Sequence, residues 1–353
     1  MQVDMHYGAT AVLARAAGFN EQDAQVIGYA AQYVDDAQDG RDILVNGQPF
    51  SPLATANSPG AYIHSRRREV WRKVYLPFHF LPPGPVESDD DVFLTQPRGF
   101  LADKLLEEVA AEGWDERLYH LCRLGVALHT VADTWSHQGF SGRWHRENDV
   151  KKLVPLAGGG GLGKAMEDAR RRLIAQANTL IPLPVVHFQA GFFPDYPFLE
   201  WRAVFADGGG PGRVLHLANQ QEYYNACRFL YGWLLARPKD QPAGVTPWRD
   251  IETGIRQCLA NSQEGRRERC QKWCDTFAGL FPASGGLPAY DKEQWEVEAL
   301  GEPLRQDVVD NLLQDQGLNH DYQAPPGFAQ TRWAAFHRAA ARQRAWLGQY
   351  VSV

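Results

Sequence analysis

The sequence lacks most features that place a chain in a membrane, in a disulfide framework or on a nucleic acid. Its start, Met1 to His6, has neither the basic residues nor the apolar run of a signal peptide, and no later stretch is apolar over the length of a membrane-spanning helix. Five cysteines are an odd number in a chain of 353 residues, which argues against structural disulfides. Lys and Arg total 36 against 42 Asp and Glu, and a net charge of -6 gives no general attraction to nucleic acid or anionic lipid. We therefore expect a chain that is cytoplasmic as synthesised, although signal-independent export remains compatible with this sequence.

Apolar residues make up 44% of the chain and recur mostly at helical spacing, which predicts a mainly α fold. With no internal repeat and no clear linker, we expect a metal-binding helical domain over 1–235 and a helical C-terminal extension over 236–353 that packs on it. Asn20 is the predicted N-cap of the second helix. Val70 to Phe80 reads as a short strand or extended segment, and Asp39 to Gly60 reads as loop. The predicted helices are 8–17, 21–34, 100–111, 116–137, 162–178, 214–236, 248–260, 264–280, 302–314 and 331–350.

The strongest chemical signal lies near the end of the predicted helix 116–137. His129, Asp133 and His137 follow one another at spacings of four, which places them along one face of an α-helix. Imidazole nitrogens and carboxylate oxygens suit zinc and neighbouring first-row metals, and the lack of nearby cysteines argues against a closed zinc finger. A solvated helix face or a buried hydrogen-bonded network would use the same residue types, but three ligands in register favour a metal site. One helix cannot complete such a site, so further ligands must come from elsewhere.

This helix resembles the central helix of the zinc-dependent phospholipase C and S1/P1 nuclease superfamily, which is built of many helices. Other segments match the order of ligands in that superfamily: a ligand near the N-terminus, an aspartate after a helix of small residues, and a histidine beside an aromatic. The resemblance assigns these roles to His6, Asp35 and His79. Asp36, beside Asp35, is expected to be a loop residue at the helix end or a partner of a ligand.

The chain also resembles an uncharacterised bacterial family, described as a domain of unknown function related to that superfamily. The run Val186 to Gly191, followed by Pro194 and Asp195, matches a recurring motif of that family, so His187 and Asp195 become the remaining predicted ligands. The resemblance covers roughly residues 1–235. His145 and Asp149 have the spacing of the last ligand pair in the better-known enzymes and are kept as alternates.

The resemblance implies a metal-dependent hydrolase with two or three zinc ions, in which metal-activated water attacks a phosphodiester. The N-terminal Trp that supplies a zinc ligand in those enzymes has no counterpart here. Asp35 and Asp133 are the predicted catalytic carboxylates. A lipid or small molecule is the favoured substrate, and a nuclease is a second enzymatic alternative that the acidic net charge disfavours. The non-enzymatic alternative is a helical binding or effector module with a structural metal site, which would have a sealed metal and no open cleft beside His129.

A glycine run, Gly158 to Gly163, ends in Lys164 and resembles part of a phosphate-binding loop. Ala165 occupies the position where a Ser or Thr hydroxyl would hold magnesium, and no buried strand precedes the run. We therefore expect a plain loop. Cys270 and Cys274, one helical turn apart, are expected to be ordinary thiols rather than metal ligands.

Overall fold

Helices carry most of the residues that the structure describes, so the chain is mainly α as its sequence predicts. The structure is a computed structural model that describes residues 1–57, 67–157, 168, 186–206, 212–262, 265–304 and 320–353. The predicted glycine loop, the predicted helix 162–178 apart from residue 168, and most of the predicted helix 302–314 lie outside these residues. Within the described ranges, no helix combines the length and the apolar composition needed to cross a membrane.

The α-helices differ in length from a single turn to five or more turns. A π-helical segment, Asp4–Ala9, leads into the first helix, and a second, Trp71–Tyr75, joins the third and fourth. Asn20 caps α2 as predicted, because its side chain accepts a hydrogen bond from the Asp23 backbone N–H. The α-helices are α1 Thr10–Ala16, α2 Glu21–Asp36, α3 Arg68–Val70, α4 Leu76–Phe78, α5 Phe100–Ala111, α6 Arg117–Ser136, α7 Asn219–Leu235, α8 Trp248–Leu259, α9 Arg266–Thr276, α10 Gln294–Leu300 and α11 Arg332–Leu347.

The prediction of an extended segment over Val70 to Phe80 is wrong. The chain is helical from Arg68 to Phe78, and it buries Trp71, Val74, Tyr75 and Phe78. These residues stand three and four apart, which is the spacing of one helix face. Their aromatic and β-branched character favours strands, but packing against the core overrides that weak preference.

Two small sheets replace parts of the predicted loop and helix. Asp39 to Gly60 was predicted as loop, yet strands β1 (Ile43–Val45) and β2 (Gln48–Phe50) form a hairpin inside it. Asn46 and Gly47 both have positive φ, as the Asn-Gly turn of a hairpin requires. A parallel strand, β6 (Asp321–Tyr322), extends this sheet.

The second sheet also corrects the start of a helix. Strands β3 (Val150–Ala157), β4 (Glu200–Phe205) and β5 (Val214–Ala218) pair antiparallel in that order. The helix predicted from Val214 therefore begins only at Asn219, because the preceding residues hydrogen-bond to β4. Pairing with a distant strand decides this boundary.

The core is centred on α6, which packs against α2 on one side and α11 on another. A Cβ at Gly125 would lie 2.5 Å from the Ile27 carbonyl oxygen and 2.6 Å from Ala30 Cβ, so only glycine allows α2 to approach so closely. Helix α9 packs against the N-terminal π-helical segment. The C-terminal extension thus contacts the N-terminal part at several places, while the division into two domains stays a prediction.

Candidate metal centre

All eight predicted ligands lie near one another, and α6 supplies the central ones. His129 and Asp133 are buried on one face of α6, and His137 caps its C-terminal end. Asp35 comes from the last turn of α2, which the approach at Gly125 brings beside α6. The other ligands come from outside these two helices: His6 from the N-terminal π-helical segment, His79 from just after α4, and His187 and Asp195 from two short 3-10 turns before β4.

The donor atoms fall into three groups, in each of which they lie within 4.8 Å of one another. Two groups share His129 and therefore form one continuous cluster, whereas the third shares no residue with them and adjoins them where His137 Nδ1 lies 3.6 Å from Asp133 Oδ2. The groups are His6, His129 and Asp133; Asp35, His79 and His129; and His137, His187 and Asp195. That these residues bind metal stays a prediction, but their convergence from several segments of the chain is a fact of the fold.

The Asp133 carboxylate is the centre of the cluster. Its Oδ1 lies 3.2 Å from His6 Nε2, and its Oδ2 lies 3.2 Å from His129 Nε2 and 3.3 Å from His79 Nδ1. The amine of Met1 is also buried here, and it donates to Asp133 Oδ1 at 2.8 Å. Burial alone would raise the pKa of the Asp133 carboxyl, but the surrounding histidines and the amine hold it well below its usual range. Asp133 is therefore an anion that faces several nitrogens at once.

Four of the histidines have one ring nitrogen fixed by a backbone carbonyl. The pairs are His79 Nε2 with Thr55 (2.9 Å), His129 Nδ1 with Ala31 (2.7 Å), His137 Nδ1 with His79 (2.9 Å) and His187 Nδ1 with Gly191 (3.0 Å). A carbonyl oxygen only accepts, so each of these nitrogens donates its hydrogen. In the neutral ring, the other nitrogen then presents a lone pair to the cluster. Histidines that bind metals in proteins are oriented in this way.

Several ring nitrogens in the cluster have no hydrogen-bond partner within the described part of the chain. They are His6 Nδ1, His6 Nε2 and His137 Nε2. His6 stacks on His129 with ring centroids 3.8 Å apart. Burial, together with the charge of His129, lowers the pKa of His6 to about 4, and burial also lowers the pKa of His187 to about 4. Both rings are thus neutral near pH 7, in the form that binds metal.

Buried ring nitrogens without a hydrogen-bond partner, placed beside carboxylates, indicate whether a metal ion fits this cluster. His129 Nε2 and His79 Nδ1 lie 3.2 Å apart, and both face Asp133 Oδ2. Two lone pairs and an anion this close repel one another unless a cation lies between them. Burial lowers the pKa of His79, but its hydrogen bond to Asp133 and the charges of Asp35 and Asp133 raise it overall. The donors present therefore fit a first-row metal ion.

A cavity of about 980 Å³ opens beside the cluster. Of the predicted ligands, those that border it are Asp35, His79, His137, His187 and Asp195. Asp35 is the most open carboxylate among them, with 30% of its side chain exposed. Asp36 also borders the cavity, but it accepts hydrogen bonds from Gln32 and from Tyr290 and belongs to none of the three groups.

The alternate ligands lie elsewhere. The side chain of His145 is 43% exposed and stands 3.5 Å from Glu147, and Asp149 pairs with Lys151. All five cysteines are buried free thiols, and no cysteine belongs to a metal-like group within the described ranges.

Sequence reasoning missed the residues that hold the N-terminal segment in the cluster. Arg269 of α9 is buried, and its Nε donates to Asp4 Oδ2 at 2.9 Å while another nitrogen donates to Gln2. Its guanidinium also lies 4.7 Å from the ring centroid of Tyr196, the neighbour of Asp195. Arg269 thus touches two ligand-bearing segments. An arginine within a polar helix gives no local signal of this role.

The chain belongs to a family of unknown function, DUF6765, whose model matches residues 1–351. The match includes the C-terminal third, so the family likeness extends beyond residues 1–235, the range expected from the sequence. No curated protein and no solved structure matches the chain.

Proposed function

We propose that this protein is a metal-dependent hydrolase that cleaves a phosphodiester. One ion would be held by the cluster around Asp133, with His6, Asp35, His79 and His129 as its ligands. A second would be held by the group His137, His187 and Asp195. Zinc is the preferred metal, because the donors are imidazoles and carboxylates with no thiolate among them.

The observation that carries this proposal is the orientation of the histidines. Four rings are each fixed by a backbone carbonyl. The free nitrogens of His79 and His129 face each other and the Asp133 carboxylate, and that of His137 lies 3.6 Å from Asp195 in the group that includes His187. A merely structural polar network would leave fewer lone pairs facing one another, since buried donors and acceptors are normally paired. The pattern supports a site built for cations.

The cavity favours an enzyme over a sealed structural site. Ligands of both proposed ions border it, so a substrate could reach them directly. Bound metal ions would supply an activated water and neutralise the charge of a phosphate ester. Asp35, which is half-buried at the cavity wall, is the candidate base that accepts a proton from the attacking water. Asp133 is buried beneath the other ligands, and its role is to hold and orient them.

The substrate class follows from the cavity and from the resemblance to phospholipase C and S1/P1 nucleases. Aromatic side chains such as Tyr75, Phe80 and Phe192 line one part of the cavity and suit an apolar group next to the phosphate. A small-molecule or lipid phosphodiester fits this lining, and the chain's acidic balance disfavours a nucleic acid.

The first experiment measures metal in protein purified without chelator or affinity metal, and again after zinc is added. We expect about two zinc ions per chain, because the donor groups form two sets that share no residue. His129→Ala and His187→Ala should each lose about one ion while keeping their helix content. The matched control is His145→Ala, which removes an exposed histidine outside the cluster and should keep full occupancy.

The same proteins are then assayed with bis(p-nitrophenyl) phosphate, phospholipid vesicles and single-stranded DNA. Zinc-dependent hydrolysis that His129→Ala abolishes and His145→Ala retains would support the proposal. Full metal occupancy without hydrolysis of any diester would favour the structural binding module. No metal after reconstitution would refute the site itself.

A further inference from the structure

Three basic side chains that the proposed hydrolysis does not use border the cavity beside the candidate metal cluster. Arg266 and Arg267 lie at the start of α9, and Lys292 lies just before α10. All three residues are exposed.

None of these three cations forms a salt bridge with a residue that the structure describes, although the charge of Lys292 acts on the carboxyl groups of Asp36 and Glu296. Other basic side chains nearby are used internally, such as Arg269, which is buried against Asp4. Arginines and lysines on a protein surface commonly pair with neighbouring acids at low cost. Three cations that border one cavity without a salt bridge therefore favour an anionic ligand over a structural role.

The acids that border the same cavity do not remove this preference. Asp35 and Asp195 are proposed metal ligands, whose charge a bound ion offsets. Asp36 is held by Gln32 and Tyr290, and Asp291 accepts a hydrogen bond from the Glu293 backbone N–H. Bound metal would add further positive charge to the cavity lining.

We propose that Arg266, Arg267 and Lys292 form a subsite for a second phosphate group of the substrate. Guanidinium groups match phosphate oxygens with paired hydrogen bonds, and a lysine adds a point charge. The cavity volume of about 980 Å³ accommodates a molecule with a phosphate at each end. The substrate class is a phosphodiester that carries an additional phosphate. This inference rests on the proposed function for the phosphate at the metals.

The test measures binding rather than turnover. The zinc-loaded full chain is titrated by calorimetry with propyl phosphate and with bisphosphates of straight diols from propanediol to hexanediol. We expect the best bisphosphate to bind at least about tenfold more tightly than propyl phosphate, which equals about 1.4 kcal/mol. High salt should reduce this preference, because the three cations are exposed.

The variant R266Q/R267Q/K292Q should bring the bisphosphate within about twofold of propyl phosphate while changing the affinity for propyl phosphate by less than about threefold. Its matched control is Arg249→Gln, an exposed arginine of α8 that does not border the cavity. Circular dichroism checks that the variants fold, and exposed positions make this the expected result.

Equal affinity for mono- and bisphosphates in the unchanged protein would overturn the subsite. So would a triple variant that keeps the preference, or one that loses both ligands equally. These outcomes are separate from the fate of the proposed function. Hydrolysis without a preference refutes the subsite alone, whereas the preference without any hydrolysis supports the subsite and refutes the hydrolase.

Discussion

Replacing Arg269 with Met tests whether the C-terminal helices position the metal ligands. The guanidinium is buried and holds Asp4 at 2.9 Å, and Asp4 is buried as well. Met keeps most of the side chain's packing but leaves the carboxylate without a cation. Removing one partner of a buried ion pair costs about 3–5 kcal/mol, so we expect a loss of that size in the free energy of unfolding.

The same change should reach the metal cluster, because Asp4 stands two residues before His6. A loosened N-terminal segment would no longer fix His6 against Asp133. We expect zinc affinity at that cluster to fall by about tenfold or more, as is usual when residues supporting a ligand are lost. The group His137, His187 and Asp195 should lose less.

Unfolding in urea with chelator gives the stability, and titration with a competing zinc indicator gives the affinities. Arg123→Met is the matched control, since Arg123 is equally buried and pairs with Glu112 at 3.0 Å away from the cluster. It should cost similar stability and leave zinc affinity unchanged. In the double variant Asp4→Asn/Arg269→Met, part of the stability should return. If Arg269→Met loses stability and keeps both zinc affinities, its role is structural only and the reasoning fails.

Three further predictions concern single positions. Gly125→Ala should lower the free energy of unfolding by about 1–3 kcal/mol and weaken zinc binding, because the new Cβ would push α2 away from α6 and separate His129 from the Ala31 carbonyl. Calorimetric unfolding and zinc titration measure the two effects, and a variant with unchanged stability and zinc affinity would contradict the close approach of the helices. Asp133→Asn should lose zinc from the central cluster while its far-UV circular dichroism stays unchanged, because the anion shared by the histidines is removed. Full zinc occupancy in this variant would count against the proposed site around Asp133. Burial lowers the pKa of His337 to about 3, so this ring is neutral in the folded protein near pH 7. Its contribution to stability is present above the unfolded pKa of about 6.5. Below that pH the contribution is lost by about 1.4 kcal/mol per pH unit, because the unfolded chain takes up a proton that the folded protein does not. In the metal-free protein, His337→Asn should therefore make the free energy of unfolding less dependent on pH between about pH 6 and pH 4. Urea unfolding at each pH measures this, and equal slopes for the variant and the unchanged protein would contradict a lowered pKa of His337.

The proximity of three of the eight candidate ligands follows from a local sequence pattern. The spacing of His129, Asp133 and His137 puts three side chains on one face of α6 whatever the rest of the chain does, because the helical period is fixed by backbone hydrogen bonds. Asn20 marks the start of α2 for an equally local reason, a side chain that accepts from a free backbone N–H. The other predicted ligands came from a resemblance in their order along the chain, and the fold brings them to the same face.

Local patterns failed where distant residues decide the structure. The run from Trp71 to Phe78 has strand-forming residues at helical spacing, and packing against the core selected the helix. The strand Val214–Ala218 forms because β4 offers it hydrogen bonds, which no periodicity within the strand reveals.

The sequence by itself determined the helical class, the ligand face of α6 and the kind of donors gathered there. Only the tertiary structure decided that Arg269 holds the segment carrying His6, that a buried amine meets Asp133, and that Lys292 borders the cavity beside the candidate metal cluster. Arg269 and Asp4 are separated by 265 positions. Short-range periodicity reports which face of an element is buried, whereas the partner of that face depends on how the whole chain minimises its exposed apolar surface and unpaired polar groups.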